Sequence, residues 1–334
     1  MDTPMKIIIR IAAAILLLVL GFATAFYFWG QQPNRSTTEH VLLRTDSLRA
    51  GANREEVDTV FSIMTYNIGY LSGMTNNEPV KRDESLFSAN LRQAADLLGH
   101  LKPDIVCLQE IDYGSTRSYS VDQEAELADT IYPFVARAVN WDKRYVPFPY
   151  WPPSVHFGKV LSGQSILSKF PVTEHVVDTL AEVVSAPFYY RAFYLHRLAQ
   201  VVKLVVHDKE VMVINVHLEA FDRDTRERHT QAVLRLYQQY SAQYPTVMVG
   251  DFNSSPDEAE PTILEILQAN LRSVDLGSTA EIPYTYDSEH PTSRLDYIFY
   301  NNALELVAGR VVTEAGQVSD HLPVWAAFRF ATLR

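Results

Sequence analysis

The chain is poor in cysteine, in positive charge and in the glycine-rich signatures of nucleotide cofactors. Its single cysteine, Cys107, rules out an intramolecular disulfide framework. Cys107 stands in the apolar run Ile105-Val106-Cys107-Leu108, where a free thiol reads as a small buried hydrophobe. Lys and Arg number 29 against 40 Asp and Glu, giving a net charge of −11. Such a chain has no broad attraction to phosphate backbones, which argues against tight non-specific nucleic-acid binding and leaves only a local basic groove as a route to it. There is no Gly-rich dinucleotide turn and no GxxxxGK[ST] loop, so nucleotide-cofactor and P-loop functions find no support. There is also no internal repeat of short period and no low-complexity run.

What is present is a globular composition. Hydrophobic residues make up 47% of 334 positions, enough for a sizeable core in one large domain or two small ones. The first thirty residues are a separate object. Lys6 and Arg10 precede an uncharged, strongly apolar run from Ile11 to Trp29, close to the length that crosses a bilayer as a helix. Positive charge on the N-terminal side places that end in the cytoplasm and the rest of the chain outside it, with Phe26, Tyr27, Phe28 and Trp29 as an aromatic belt at the far interface. The rival reading is a signal peptide, cleaved near Ala23-Thr24-Ala25, which would release the domain. Residues 31–58 are polar and aperiodic and read as a linker carrying the domain away from the membrane. A catalytic domain is then expected over 59–334.

Within that domain, apolar β-branched runs predict strands over 60–67, 105–108, 163–168, 200–206, 210–216, 246–250, 295–300 and 324–330, the fourth and fifth joined as a hairpin. Helical spacing predicts helices over about 88–100, 122–132, 225–243 and 261–269. Four prolines keep 145–157 out of regular helix and make it an aromatic loop, suited to a substrate wall, a membrane-facing lip or a braced surface loop. Strands outnumber helices, which favours two packed sheets flanked by helices over a doubly wound sheet.

Polar residues cluster where apolar runs end: Asn67, Glu110, His217, Asp251, Asn253, Asp296, Asp320 and His321. The set is rich in oxygen and free of thiolate, so it suits Mg²⁺, Mn²⁺ or Ca²⁺ better than Zn²⁺. Hard-cation ligands with two histidines point to metal-assisted hydrolysis of a phosphoester, with an imidazole taking a proton from water. Singly, each residue has a plain structural reading; their joint occurrence carries the argument. His156, His196, His229 and His290 lie outside these stretches and read as structural, while Arg191, Arg197, Arg294 and Lys159 read as surface ion-pair partners, with contact to a substrate phosphate as the alternative.

Tyr66-Asn67-Ile68, Leu108-Gln109-Glu110, Asn215-Val216-His217-Leu218, Gly250-Asp251-Phe252-Asn253, Leu295-Asp296-Tyr297-Ile298 and Ser319-Asp320-His321 occur in the order found in the endonuclease/exonuclease/phosphatase superfamily. Over about 60–330 the chain resembles that superfamily, whose members include DNase I-like nucleases, AP endonucleases, inositol polyphosphate 5-phosphatases and neutral sphingomyelinases. The strand Gly163 to Pro171 is similar too, with Gln164 and Ser165 in place of the family's Asn and Ala. The resemblance implies a four-layer α/β sandwich, two mixed β-sheets flanked by helices. It implies Glu110 as principal metal ligand, with Asn67 beside it and Asp320 as a further ligand. It makes His321 the general base, oriented by Asp296. His217 then gives a hydrogen bond or proton to the phosphate, and Asp251 and Asn253 position the attacking water and the scissile phosphate.

The expected activity is that of an exported or membrane-anchored phosphodiesterase using Mg²⁺, or Mn²⁺ in its place, with a lipid or small phosphodiester favoured over DNA. A surface or secreted nuclease is the alternative enzyme, and a catalytically silent binding protein on the same fold is the alternative of another class. Specificity is expected in the loops 69–84, 114–121, 145–160 and 276–292.

Overall fold

The apolar runs pair into two β-sheets. In the computed structural model, which describes residues 3–34, 41–44 (backbone only), 60–129, 131–276 and 283–332, a long N-terminal helix α1 (Pro4–Gly30) precedes a short strand β1 (Val41–Arg44). The first half of the domain contains β2 (Val60–Asn67), α2 (Glu84–Leu101), β3 (Ile105–Asp112), α3 (Gln123–Ala128), β4 (Phe134–Val146), β5 (Gly158–Ser168) and β6 (Val172–Thr179). The second contains α4 (Phe188–Arg191), β7 (Leu198–Val206), β8 (Lys209–His217), α5 (Arg223–Ser241), β9 (Thr246–Asp251), α6 (Ile263–Leu267), β10 (Arg272–Ser273), β11 (Asp296–Tyr300), β12 (Leu304–Val311) and β13 (Val324–Phe330).

One sheet has the order β1-β4-β5-β3-β2-β13-β12 and the other β10-β11-β9-β8-β7-β6. Their facing sides share a core that includes Ile63, Ile105, Val202, Val213, Val249, Ile298 and Phe328. Helix α2 packs Phe87, Ala94, Leu97 and Leu98 on the outside of the first sheet. Helix α5 packs Val233 and Tyr237 on the outside of the second. Helix, sheet, sheet and helix give the four layers expected, and Cys107 is fully buried between them. A buried polar chain also crosses the sheet interface. Gln109 Nε2 donates to Asn215 Oδ1 at 2.6 Å and Asn215 Nδ2 to Gln200 Oε1 at 3.2 Å. Buried amides that satisfy one another in this way penalise any slip of one sheet over the other.

Four differences from the sequence reading have physical causes. The run expected to end at Leu108 continues to Asp112, because a register shift between Leu108 and Ile111 lets the strand resume after a bulge. Strands β4, β6, β10 and β12 were not expected. Of the segment 31–58, residues 35–40 and 45–58 lie outside the described residues, but the rest is not a free linker. Asn34 is hydrogen-bonded to Asp142 at 2.7 Å, and 41–44 pair with β4 as an edge strand. Arg197, read as a surface cation, is buried beside Glu219.

Topology then gathers the strand ends. Strands β2 and β3 run parallel, as do β8 and β9, so Asn67, Glu110, His217 and Asp251 reach the same edge of the sandwich. Strand β11 is antiparallel to β9 and β13 to β2, so their N-terminal ends arrive at that edge too.

Candidate active site

The register is tight at this edge. His217 pairs with Asp251 across β8 and β9, and Asp251 pairs with Asp296 across β9 and β11. The close approach of β8 and β9 depends on Gly250, whose φ is +142° and where a Cβ would lie 1.9 Å from the Val216 carbonyl oxygen. Glu110 sits at the β3 bulge with φ +52°, the local distortion that turns its side chain out of the sheet alternation. The stretch 319–321 belongs to no strand but is pinned on both sides. Ser319 Oγ donates to the Asn67 carbonyl at 2.8 Å, Leu322 N to the Thr285 carbonyl at 2.7 Å, and Ser288 N to the Asp320 carbonyl at 2.8 Å.

All eight sequence-derived residues belong to one cluster. His321 Nδ1 lies 2.8 Å from Asp296 Oδ2, and its Nε2 lies 3.8 Å from Asp251 Oδ2. Asp251 Oδ2 also accepts from Asn67 Nδ2 at 2.9 Å and from Asn253 Nδ2 at 3.3 Å, while its Oδ1 accepts from the Asn253 backbone at 2.8 Å. His217 Nε2 lies 3.5 Å from Asp251 Oδ2 and 3.7 Å from Glu110 Oε1. Seven of the eight line one cavity of about 540 Å³; Asp296 stands behind His321, fully buried.

The electrostatics separate the two histidines. Burial, with Arg197 and His321 nearby, lowers the His217 pKa well below 6.5, so its ring is neutral. Burial acts the same way on His321, but the carboxylates of Asp296 and Asp251 outweigh it and raise its pKa well above 6.5. Asp251 is pushed up to about 7, mainly by burial, against the pull of His321. Burial raises Glu110, and the nearby Asp320 raises it further.

Two sets of ligand atoms converge here. Among the described residues, Asp251, Asp296 and His321 bring one ligand atom each within 4.8 Å of one another. In that set His321 Nδ1 is already hydrogen-bonded to Asp296, the arrangement of an oriented base. The other set is Glu110, Asp320 and the Asn67 amide. It offers oxygen donors, and burial together with the neighbouring Asp320 carboxylate raises the cost of ionising Glu110. A divalent hard cation fits this second set, because it relieves that repulsion and meets the ligands it prefers.

Several residues of the cavity escaped sequence reading. Asn76 donates to Glu110 Oε2 at 3.0 Å from within the turn-rich 69–84 segment. Tyr286 lies against the His321 ring, 5.1 Å between centroids, from the 276–292 loop. Arg197, whose alternative reading is contact with a substrate phosphate, does line the cavity, with its Nε 3.5 Å from Glu219 Oε2. The 145–157 loop proves to be part of the cavity wall, with Val146, Pro147, Phe148 and Tyr150 facing Tyr190, Phe193 and Phe221. The cavity thus has an acidic and imidazole floor under apolar, aromatic walls. His229 bonds the Ala181 carbonyl, and His156 bonds Tyr145 and the Tyr150 carbonyl, as structural histidines do.

The sequence profile described as the Endonuclease/Exonuclease/phosphatase family matches residues 64–321. No curated protein matches the sequence. Among solved structures, the chain is similar to an endonuclease/exonuclease/phosphatase from Beutenbergia cavernae, with 24% identity and a TM-score of 0.59 over 81% of this chain and 72% of the other. It is similar to the mannosyl-6-phosphatase Bt3783 of Bacteroides thetaiotaomicron, with 16% identity and a TM-score of 0.57 over 81% and 100% of the two chains. It is also similar to D. rerio TDP2 complexed with a single-strand DNA product, with 15% identity and a TM-score of 0.57 over 81% and 100%.

Proposed function

Because the chain belongs to the endonuclease/exonuclease/phosphatase family, whose members are phosphoesterase hydrolases, we propose that it hydrolyses a phosphodiester with water activated by His321 and with Mg²⁺, or Mn²⁺, held by Glu110, Asn67 and Asp320. The observation that carries this reading is the His321–Asp296 pair at 2.8 Å, facing Asp251 across 3.8 Å.

A water molecule between His321 Nε2 and Asp251 Oδ2 would touch both. The imidazole takes its proton as the oxygen attacks phosphorus and the opposite ester P–O bond breaks, the leaving oxygen taking its proton from solvent; Asp296 stabilises the imidazolium and fixes the tautomer that leaves Nε2 free. Asn67 and Asn253 hold Asp251 through three hydrogen bonds, so its carboxylate faces the same point. His217, neutral, gives a hydrogen bond from Nε2 to a phosphoryl oxygen rather than a full proton. Arg197, ion-paired with Glu219, adds a fixed positive charge at the cavity wall that favours a bound phosphate. When bound, the cation supplies neutralisation of charge that builds on the phosphoryl group.

The test is cation-dependent hydrolysis of a soluble chromogenic phosphodiester, with His321→Ala as control. Turnover lost in that variant, with the cation still bound, supports the reading. Turnover unchanged would remove His321 from the chemistry. No turnover and no cation binding in the unaltered protein would favour a silent binding protein on this fold.

Helix α1 is long and apolar enough to cross a membrane, with mean hydropathy 2.6 and its apolar stretch wholly exposed. We place it as an anchor with the catalytic domain outside the cytoplasm, on the strength of Lys6 and Arg10 at its start.

A further inference from the structure

Helix α1 does not stand apart from the cavity. Its 27 residues span about 40 Å at 1.5 Å per residue, against about 30 Å of bilayer hydrocarbon. Its last turn therefore reaches the interfacial layer, and that turn is docked on the domain. The Phe26 ring lies 5.5 Å from Tyr145 and 6.4 Å from Phe193, and the Tyr27 ring lies 5.8 Å from Phe188 and 5.9 Å from Phe193. Gly30 is buried in the joint, where a Cβ would come within 3.1 Å of the Phe193 ring and 3.2 Å of the Tyr145 carbonyl. Just beyond, the Gln32 carbonyl accepts from Arg144 N at 2.8 Å. Phe193 also lines the cavity, so the helix and the cavity wall share a side chain.

Around the mouth stand large rings that are more exposed than covered. Tyr150 and Phe221, which line the cavity, are 52% and 79% exposed; Trp151, Phe188 and Tyr189, beside them, are 76%, 65% and 57% exposed. A cluster of this size on a soluble surface marks a contact site, and aromatic rings are the side chains that settle at a membrane–water interface. The end of α1 sets the depth at which these rings sit.

We propose that this aromatic rim rests in the bilayer interface, so that the cavity opens onto the membrane surface and receives phosphate esters whose apolar part stays in the lipid. The contact is with lipid of no particular charge. A protein of net charge −11 has no pull towards anionic headgroups, and the rim contributes rings rather than cations. The substrate half of this proposal rests on the phosphoesterase reading; the placement of the rim does not.

The full chain, reconstituted in phosphatidylcholine vesicles, tests both halves. Trp151→Cys carries a fluorescent label without interference, because Cys107 is buried. Lipids brominated near the headgroup are expected to quench the label strongly; a label that stays unquenched, in water, overturns the proposal. A triple variant, Trp151→Ser with Phe188→Ser and Tyr189→Ser, alters rings that do not line the cavity. It is expected to lose about tenfold in kcat/KM on a long-chain phosphodiester embedded in the vesicles, with unchanged turnover of the short-chain soluble counterpart. Equal effects on the two substrates, or none on either, overturn it. If the unaltered chain turns over neither substrate, the phosphoesterase reading fails alone, and the quenching still decides where the rim lies.

Discussion

The imidazole Nδ1 of His321 and the Asp296 carboxylate are 2.8 Å apart, both buried, at the edge where β11 begins and the chain enters β13. Two opposed effects meet in that ring: burial lowers its pKa, while Asp296 and Asp251 together raise it well above 6.5. A base must be neutral to act, so kcat/KM is expected to climb with pH through a value above the ordinary 6.5. Asp296→Asn removes one supporting charge, so the imidazolium is less stable and the climbing limb moves to lower pH. The plateau should also fall by about 10²-fold, because the ring is no longer held in its working tautomer. A pH–rate profile of the two proteins decides this, and a limb that does not move would detach Asp296 from the base.

Cation binding should be coupled to proton release. Glu110 has its pKa raised by burial and then by Asp320, against the opposing hydrogen bond from Asn76. A carboxyl must be ionised to hold a hard cation, so Mg²⁺ affinity is expected to rise with pH through that elevated value and flatten above it. Titration calorimetry in buffers of different ionisation enthalpy measures the released proton. Glu110→Gln should abolish the proton release and weaken binding; equal affinity would take Glu110 out of the ligand set.

The sequence showed the site more fully than the sheets that carry it. Strands β2, β8, β9 and β11 are buried along most of their length and therefore read as largely apolar runs with a polar residue at one end, which is where the chemistry sits. Strands β6 and β12 lie at sheet edges, expose residues such as Glu174 and Val307, and carry interruptions that hide a strand. In β4, Arg137, Asp142, Lys143 and Arg144 break the apolar run. Arg137 is nevertheless buried, compensated by Glu124 and Asp122, and no local pattern announces partners thirteen and fifteen residues away. Arg197 was misread for the same reason: a lone cation before a strand looks like surface until Glu219 is folded against it.

That pair makes a further test. Arg197 and Glu219 are 3.5 Å apart with side chains 5% and 2% exposed. Arg197→Met leaves a carboxylate buried without its partner, at an expected cost of about 3–5 kcal/mol. Arg197→Lys keeps the charge but not the planar fork, so stability should fall less while KM for the phosphodiester rises. Chemical denaturation and steady-state kinetics on the two variants separate the roles. If adding Glu219→Gln to Arg197→Met restores stability but not KM, Arg197 serves both the fold and the phosphate.

Gly250 offers the most direct check on how the strand ends are brought together. Its φ of +142° is strained for any side chain, and a Cβ there would sit 1.9 Å from the Val216 carbonyl oxygen and 2.8 Å from its carbon. These are backbone atoms of the neighbouring strand, so relief requires β8 and β9 to separate, which moves His217 from Asp251. Gly250→Ala is therefore expected to lose about 4 kcal/mol or more, and any folded fraction should have lost turnover more than cation binding, since Glu110 stands on β3. Gly99, in α2, has nothing within 4 Å of its would-be Cβ. Gly99→Ala should instead gain about 0.5–1 kcal/mol and leave turnover unchanged. Equal unfolding midpoints for the two variants would mean that β8 and β9 separate at little cost, and that the positions of His217 and Asp251 are set by something other than Gly250.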